Sequence, residues 1–208
     1  MPEAPLQPSA LIGGRSWAWL ATAFAVASVL TWWLPAALLD WQPACAAAEP
    51  WRAFSSAFVH WSAGHLMANL LGAAVVAALG LAARLPLSAT LAWAAAWPLT
   101  QAGLRLQPAL AHYGGLSGVL HAGVAVAALW LLVREAGTRR ALGAAIGAGL
   151  VIKIVLEAPW GPPLRAPTGW LNGGWDIATA PLAHATGAVA GVVCAALALC
   201  WRARQSAR

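Results

Sequence analysis

The sequence predicts an all-α polytopic membrane protein, a bundle of six transmembrane helices with both termini in the cytoplasm. Of its 208 residues, 61% are apolar and only 9% charged, against roughly 25% charged residues in a water-soluble domain. The apolar residues gather into runs that approach the roughly 20 helical residues needed to cross a hydrocarbon core about 30 Å thick. The arginines fall on one side of alternate runs, which is the signature of a topology.

Residues 1–15 form a short cytoplasmic N-terminus, and the first span covers about 16–39. Ala44 to Ala48 resemble a signal-cleavage site. The run is longer than a signal-peptide core of about 7–15 residues and carries several tryptophans, so it reads as a retained span. The second span covers about 65–83. The third, about 88–104, is the weakest, being short and interrupted by Pro98 and Gln101. The fourth, fifth and sixth cover about 115–133, 140–158 and 179–201, and 202–208 form a basic cytoplasmic tail. The longest connections, 40–64 and 159–178, leave no room for a soluble domain, and no internal repeat is evident.

With the N-terminus inside, Arg15, Arg84, Arg134, Arg139, Arg140, Arg202, Arg204 and Arg208 lie on the cytoplasmic side and only Arg52, Arg105 and Arg165 outside. Asp40, Glu49 and Asp176 fall outside and carry little topological weight. Trp17, Trp19, Trp130 and Trp201 are expected at the inner interface, Trp32 and Trp33 at the outer one, with Trp160, Trp170 and Trp175 flanking the last outer loop. The formal charge of +6 is scattered along this topology, so no nucleic-acid partner is expected and membrane lipid is the expected surroundings. Cys45 stands alone and Cys194 and Cys200 lie in an apolar run, which suggests neither a disulfide framework nor a cysteine metal site.

Spans two, four and six run in the same direction, and each carries polar residues in its first turns. His65 and Asn69 stand at i and i+4 on one face of span two, Ser117 and His121 on one face of span four, and His184 on span six. Polar groups at membrane depth are costly unless they face one another or water, so these five imply a shared hydrated cavity at the outer side. The chemistry that fits is acyl transfer. A serine hydroxyl needs a base to take its proton, and a neutral imidazole can do so. His184, on another helix, can approach Ser117 at any angle, whereas His121 is constrained by its own helix. No acid stands in an obvious third place, since Asp176 is in a loop and Glu157 on another helix, so a Ser117–His184 dyad is expected. His65 and Asn69 can donate to a developing oxyanion, together with the backbone N–H of Ser117. No metal and no cofactor is expected.

Gly115 and Gly118 either open access to Ser117 or let helices pack closely, and both readings stand. Gly187 and Gly191 form a GxxxG pair that would bring His184 towards span four. Lys153 and Glu157, at i and i+4 in span five, form an internal ion pair or serve in substrate binding. His60 and His112 fall at loop edges, where surface or interfacial roles rather than catalysis are expected.

The stretches WRAFSSAFVHWSAGHLMANLL (51–71), GLSGVLH (115–121) and AHATGAVAG (183–191) resemble the rhomboid intramembrane serine proteases over the six-helix core, about 16–201. That family carries a Trp-Arg pair in its first loop, HxxxN on helix two, GxSG on helix four and AHxxGxxxG on helix six, and all four occur here in order. The resemblance implies Ser117 as nucleophile, His184 as base and His65 and Asn69 as oxyanion donors. It puts His121 where family members often stack an aromatic ring on the catalytic histidine. GLSGVLH and KIVLEAPWG (153–161) are most similar to the rhombosortase branch, except that Ala122 stands where a glycine is usual. That branch implies a multi-pass enzyme of the bacterial inner membrane with its site on the periplasmic side. Its substrates would be exported proteins ending in a glycine-rich motif, an apolar span and a basic tail, released or transferred to a lipid-derived group. The alternatives are a general rhomboid protease acting on other single-span proteins, a metal or haem protein using His65, His121 and His184, and an inactive rhomboid-like chaperone.

Overall fold

The structure is a computed structural model that describes residues 14–166 and 178–206. Among these residues the chain is all-α, with only two isolated bridges and no strand. Six long helices form the body: α1 (Arg15–Thr31), α2 (Ala63–Ala82), α3 (Leu87–Ala102), α4 (Ser117–Arg134), α5 (Gly137–Glu157) and α6 (Pro181–Ser206). Three of them, α2, α4 and α6, are long and apolar enough to cross a membrane. Most of the N-terminal segment, Trp170, Trp175, Asp176 and Arg208 lie outside the described residues.

Helix boundaries follow local chemistry. α1 stops at Thr31, well short of residue 39, because Pro35 lacks an N–H and disfavours helix at the residue before it. Thr31 Oγ1 then donates to the Phe58 carbonyl at 2.7 Å, tying the helix end to the loop ahead of α2. α2 opens on Ser62, whose hydroxyl accepts from the His65 N–H at 3.0 Å; this cap fixes the backbone of a site histidine. α3 keeps Pro98 inside it and ends in a 3₁₀ turn over Gly103–Leu106. α6 opens on Pro181, whose missing N–H costs nothing in a first turn.

The most deeply buried helix is α4. It packs most extensively on α6, then on α5, α3 and α2, while α1 closes against α2 and α3. The α4–α6 seam is glycine-made. A Cβ on Gly187 would lie 2.0 Å from the Gly118 carbonyl oxygen, and one on Gly191 2.4 Å from that of Ala122. Gly118 itself packs against the Ala183 carbonyl, where a Cβ would sit at 2.7 Å, so close helix packing is its role.

An aromatic cluster joins α1, α3 and the loop before α2. Trp17 stacks on Trp93 with ring centroids 4.4 Å apart, and Phe24 meets Trp93 edge-on at 5.3 Å. Each indole finds a carbonyl: Trp17 Nε1 donates to Val76 O at 2.8 Å and Trp93 Nε1 to Val119 O at 2.7 Å. Trp17 and Trp130 are buried within the bundle, whereas Trp19, Trp33, Trp160 and Trp201 are exposed.

Candidate active site

The site is built at the end of the bundle where α2, α4 and α6 begin and α5 finishes. The long loop between α1 and α2 braces it. Arg52, on a single helical turn (Arg52–Ser55), is buried and donates from Nη1 to Asp40 Oδ1 at 3.1 Å, to Asp40 O at 2.8 Å and to Ala37 O at 3.0 Å. Its Nε pairs with Glu49. Asp40 Oδ2 also meets His112 Nδ1 at 2.6 Å. Beside this knot Trp41 and Tyr113 exchange backbone hydrogen bonds of 2.7 and 2.9 Å, and Gly115 N–H donates to Ser56 O at 3.0 Å. The segment leading into α4 is therefore clamped on both sides. Gly115 has φ +130°, a conformation L side chains rarely adopt, and helix α4 starts two residues later at Ser117.

From this start Ser117 Oγ points at α6, where His184 Nε2 stands 3.0 Å away. The opposite ring nitrogen, Nδ1, lies 2.7 Å from Glu157 Oε2 at the end of α5. A carboxylate accepts, so Nδ1 carries the proton and leaves Nε2 as acceptor for the serine hydroxyl. Glu157 Oε1 is held in turn by Lys153, one helical turn back. The expectation of a histidine with no acid behind it is corrected: three side chains stand in line, from three helices. Of the two readings of Lys153 and Glu157, the ion pair is present, and Glu157 has a second partner in His184.

His121 stacks on His184, centroids 4.1 Å apart and planes 12° from parallel, while its Nδ1 donates to the Ser117 carbonyl at 2.7 Å. His65 and Asn69 face the same place from α2. A methyl group at Gly115 would lie 2.8 Å from His65 Nε2 and 3.9 Å from Asn69 Nδ2, so both groups converge on the peptide that delivers Ser117. Asn69 is buried and spends one amide hydrogen on the His65 carbonyl at 3.1 Å, leaving a second donor. A cavity of about 1030 Å³ brings His65, Asn69, Ser117, His121, Lys153, Glu157 and His184 to one wall-lined space. The residues expected at one depth thus share one cavity, and Lys153 lies on its exposed rim.

Two histidines outside this line differ from each other. His112 is largely exposed, as expected at a loop edge. His60 is buried, contrary to expectation, with its ring 4.7 Å from His65 and Nδ1 3.1 Å from the Phe58 carbonyl. Burial, with the neighbouring His65 adding to it, pushes its pKa down to about 4. Tyr113, also buried, donates to the Gly115 carbonyl at 3.2 Å, and burial raises its phenol to about 12.

The partnership of Glu157 with His184 is not among the sequence expectations, although the depth criterion reaches it, since Glu157 closes span five at the level where span six opens. The Asp40–Arg52 knot is likewise absent from them, because three ionisable residues in a loop give no pairing signal. A scan against protein-family models finds no match for this chain, and no curated protein matches it.

Proposed function

We propose that this protein is a six-span intramembrane serine protease whose cavity opens on the outer side of the membrane. The observation that carries the reading is the 3.0 Å contact between Ser117 Oγ and His184 Nε2 across the α4–α6 seam, inside a cavity bordered by hydrogen-bond donors. As Ser117 Oγ attacks a substrate carbonyl, its proton passes to His184 Nε2. The oxygen then gathers negative charge beside His65, Asn69 and the start of α4, where first-turn N–H groups lack a carbonyl partner within the helix and favour an anion. Collapse breaks the C–N bond, the leaving amine takes the proton from Nε2, and water repeats the sequence on the acyl-serine.

The arginine bias supports both termini being cytoplasmic and the site facing outward, and the sequence resemblance adds the inner membrane and the periplasm. The substrate reading follows the sequence resemblance: exported proteins with a Gly-Gly motif before a C-terminal apolar span and basic tail, with a general rhomboid protease as the alternative. Nothing in the geometry favours the metal reading. Both nitrogens of His184 and one of His121 are engaged by protein groups, and among the described residues no three ligands converge.

The test is labelling of purified protein by a fluorophosphonate, which forms an ester to an activated serine with loss of fluoride. Wild type is expected to label, and Ser117→Ala and His184→Ala are expected not to. Labelling that survives Ser117→Ala refutes the serine mechanism. A co-expressed single-span reporter ending in Gly-Gly, an apolar span and a basic tail tests the substrate class. Its cleavage, lost in Ser117→Ala, is expected; cleavage of a glycine-free reporter at the same rate would favour the general protease.

A further inference from the structure

The contacts of Glu157 extend past a simple helix-surface ion pair. Its carboxylate bridges two groups on different helices: Lys153 on its own helix holds Oε1, and His184 Nδ1 on α6 lies 2.7 Å from Oε2. His184 is buried, its other nitrogen is 3.0 Å from Ser117 Oγ, and one ring face is covered by His121. Turning the imidazole over would exchange nitrogen for carbon at both ends and break both hydrogen bonds. The carboxylate therefore selects one orientation and one tautomer.

Helix α5 has little else to hold this end in place. Its one buried residue is Gly143, far from Glu157, while Val151, Ile152, Val155 and Leu156 are all more than half exposed. It lies along α4 and meets α6 only lightly. The bond from Glu157 to His184 is the polar link between these two helix ends among the described residues.

We propose that Glu157 is a positioning residue for the serine chemistry above, acting through His184, and that Lys153 holds its carboxylate. The inference rests on the serine-protease reading. Glu157 orients the base before reaction, and its negative charge stabilises the imidazolium formed when the Ser117 proton arrives; it takes no proton itself. Lys153 fixes the rotamer of Glu157 through an i, i+4 contact that needs no second helix.

Two readouts on the purified full-length chain test this: the rate of fluorophosphonate labelling, and the far-downfield proton resonance of a carboxylate-bound imidazole N–H in ¹⁵N-histidine-labelled protein. Glu157→Gln is expected to label about 10⁴-fold more slowly, as loss of the acid does in other serine triads. Lys153→Met is expected to cost about fivefold at most, since an exposed pair contributes little. The His184 resonance, told from that of His112 on Asp40 by the loss of the latter in His112→Ala, is expected in wild type, Ser117→Ala and Lys153→Met, and absent from Glu157→Gln and His184→Ala. A purely structural ion pair would make Lys153→Met as damaging as Glu157→Gln and would leave no such resonance. Wild-type labelling by a folded Glu157→Gln overturns the proposal and leaves the serine reading standing. Labelling of Ser117→Ala, or none in wild type, removes the serine reading and the proposal with it. If Glu157→Gln does not fold, Ser117→Ala with Glu157 intact still decides, because absence of its resonance overturns the proposal.

Discussion

Replacing Gly187 by alanine adds one methyl group at the tightest point of the α4–α6 seam. Its Cβ would lie 2.0 Å from the Gly118 carbonyl oxygen, where ordinary contact begins at 3.4 Å. The obstacle is helix backbone, so α6 must recede by about 1.4 Å. His184 rides on α6 less than one turn away, and the same displacement takes its Nε2 from 3.0 Å to about 4.4 Å from Ser117 Oγ, outside hydrogen-bond range. Misplacement of about 1 Å can cost roughly 10²-fold in rate, and overpacking costs about 1–3 kcal/mol in stability. Gly187→Ala is therefore expected to label with fluorophosphonate at least about 100-fold more slowly per folded molecule while losing a few kcal/mol. Gly147→Ala is the control, since its Cβ would meet only Ala128 at an ordinary 3.8 Å. Labelling rate and thermal unfolding would be measured on the same preparations. Wild-type labelling by Gly187→Ala would refute the claim that this seam sets the Ser117–His184 distance.

Arg52→Met leaves the Asp40 carboxylate buried without its main cation. It is expected to destabilise by about 3–5 kcal/mol, with Asp40→Asn in the same chain restoring part of the loss, read from thermal midpoints. His60 supplies a pH dependence: its folded pKa, about 4, lies below the ordinary 6.5, so the unfolded chain binds a proton first as pH falls. Stability is expected to be intact above about 6.5 and to decline towards about 4, and His60→Leu should flatten that part of the profile. An unchanged profile in that variant would assign the acid sensitivity elsewhere.

Legibility in the sequence follows how local each signal is. Helix content was readable because long apolar runs interrupted by prolines and glycines leave few other choices. The convergence of His65, Asn69, Ser117, His121 and His184 was readable because each stands near the start of its run, and helices running the same way put their starts at one level. The GxxxG spacing at Gly187 and Gly191 correctly marked the face that meets α4. The end of α1 was misjudged because hydrophobicity continues through Trp32, Trp33 and Leu34 after helical geometry stops at Thr31. The burial of Trp17 was not legible because composition cannot tell an exposed indole from one whose N–H reaches a carbonyl inside the bundle. The role of Glu157 was hidden by its neighbour: Lys153 at i−4 already accounts for the carboxylate, and only its depth, level with the start of span six, points to a second partner on another helix.

The burial of α4 has a consequence for how the chain is made. This helix is the most enclosed of the three long apolar ones and also the least hydrophobic, with a mean hydropathy of 1.6. Its small-residue face at Gly118 and Ala122 is covered by α6, which is synthesised after it. Until residues 181–206 have been synthesised, α4 holds a notch, a serine and a histidine with nothing seated on them. A chain stopped after α5 therefore displays an unfinished surface where Gly187 and Gly191 would pack.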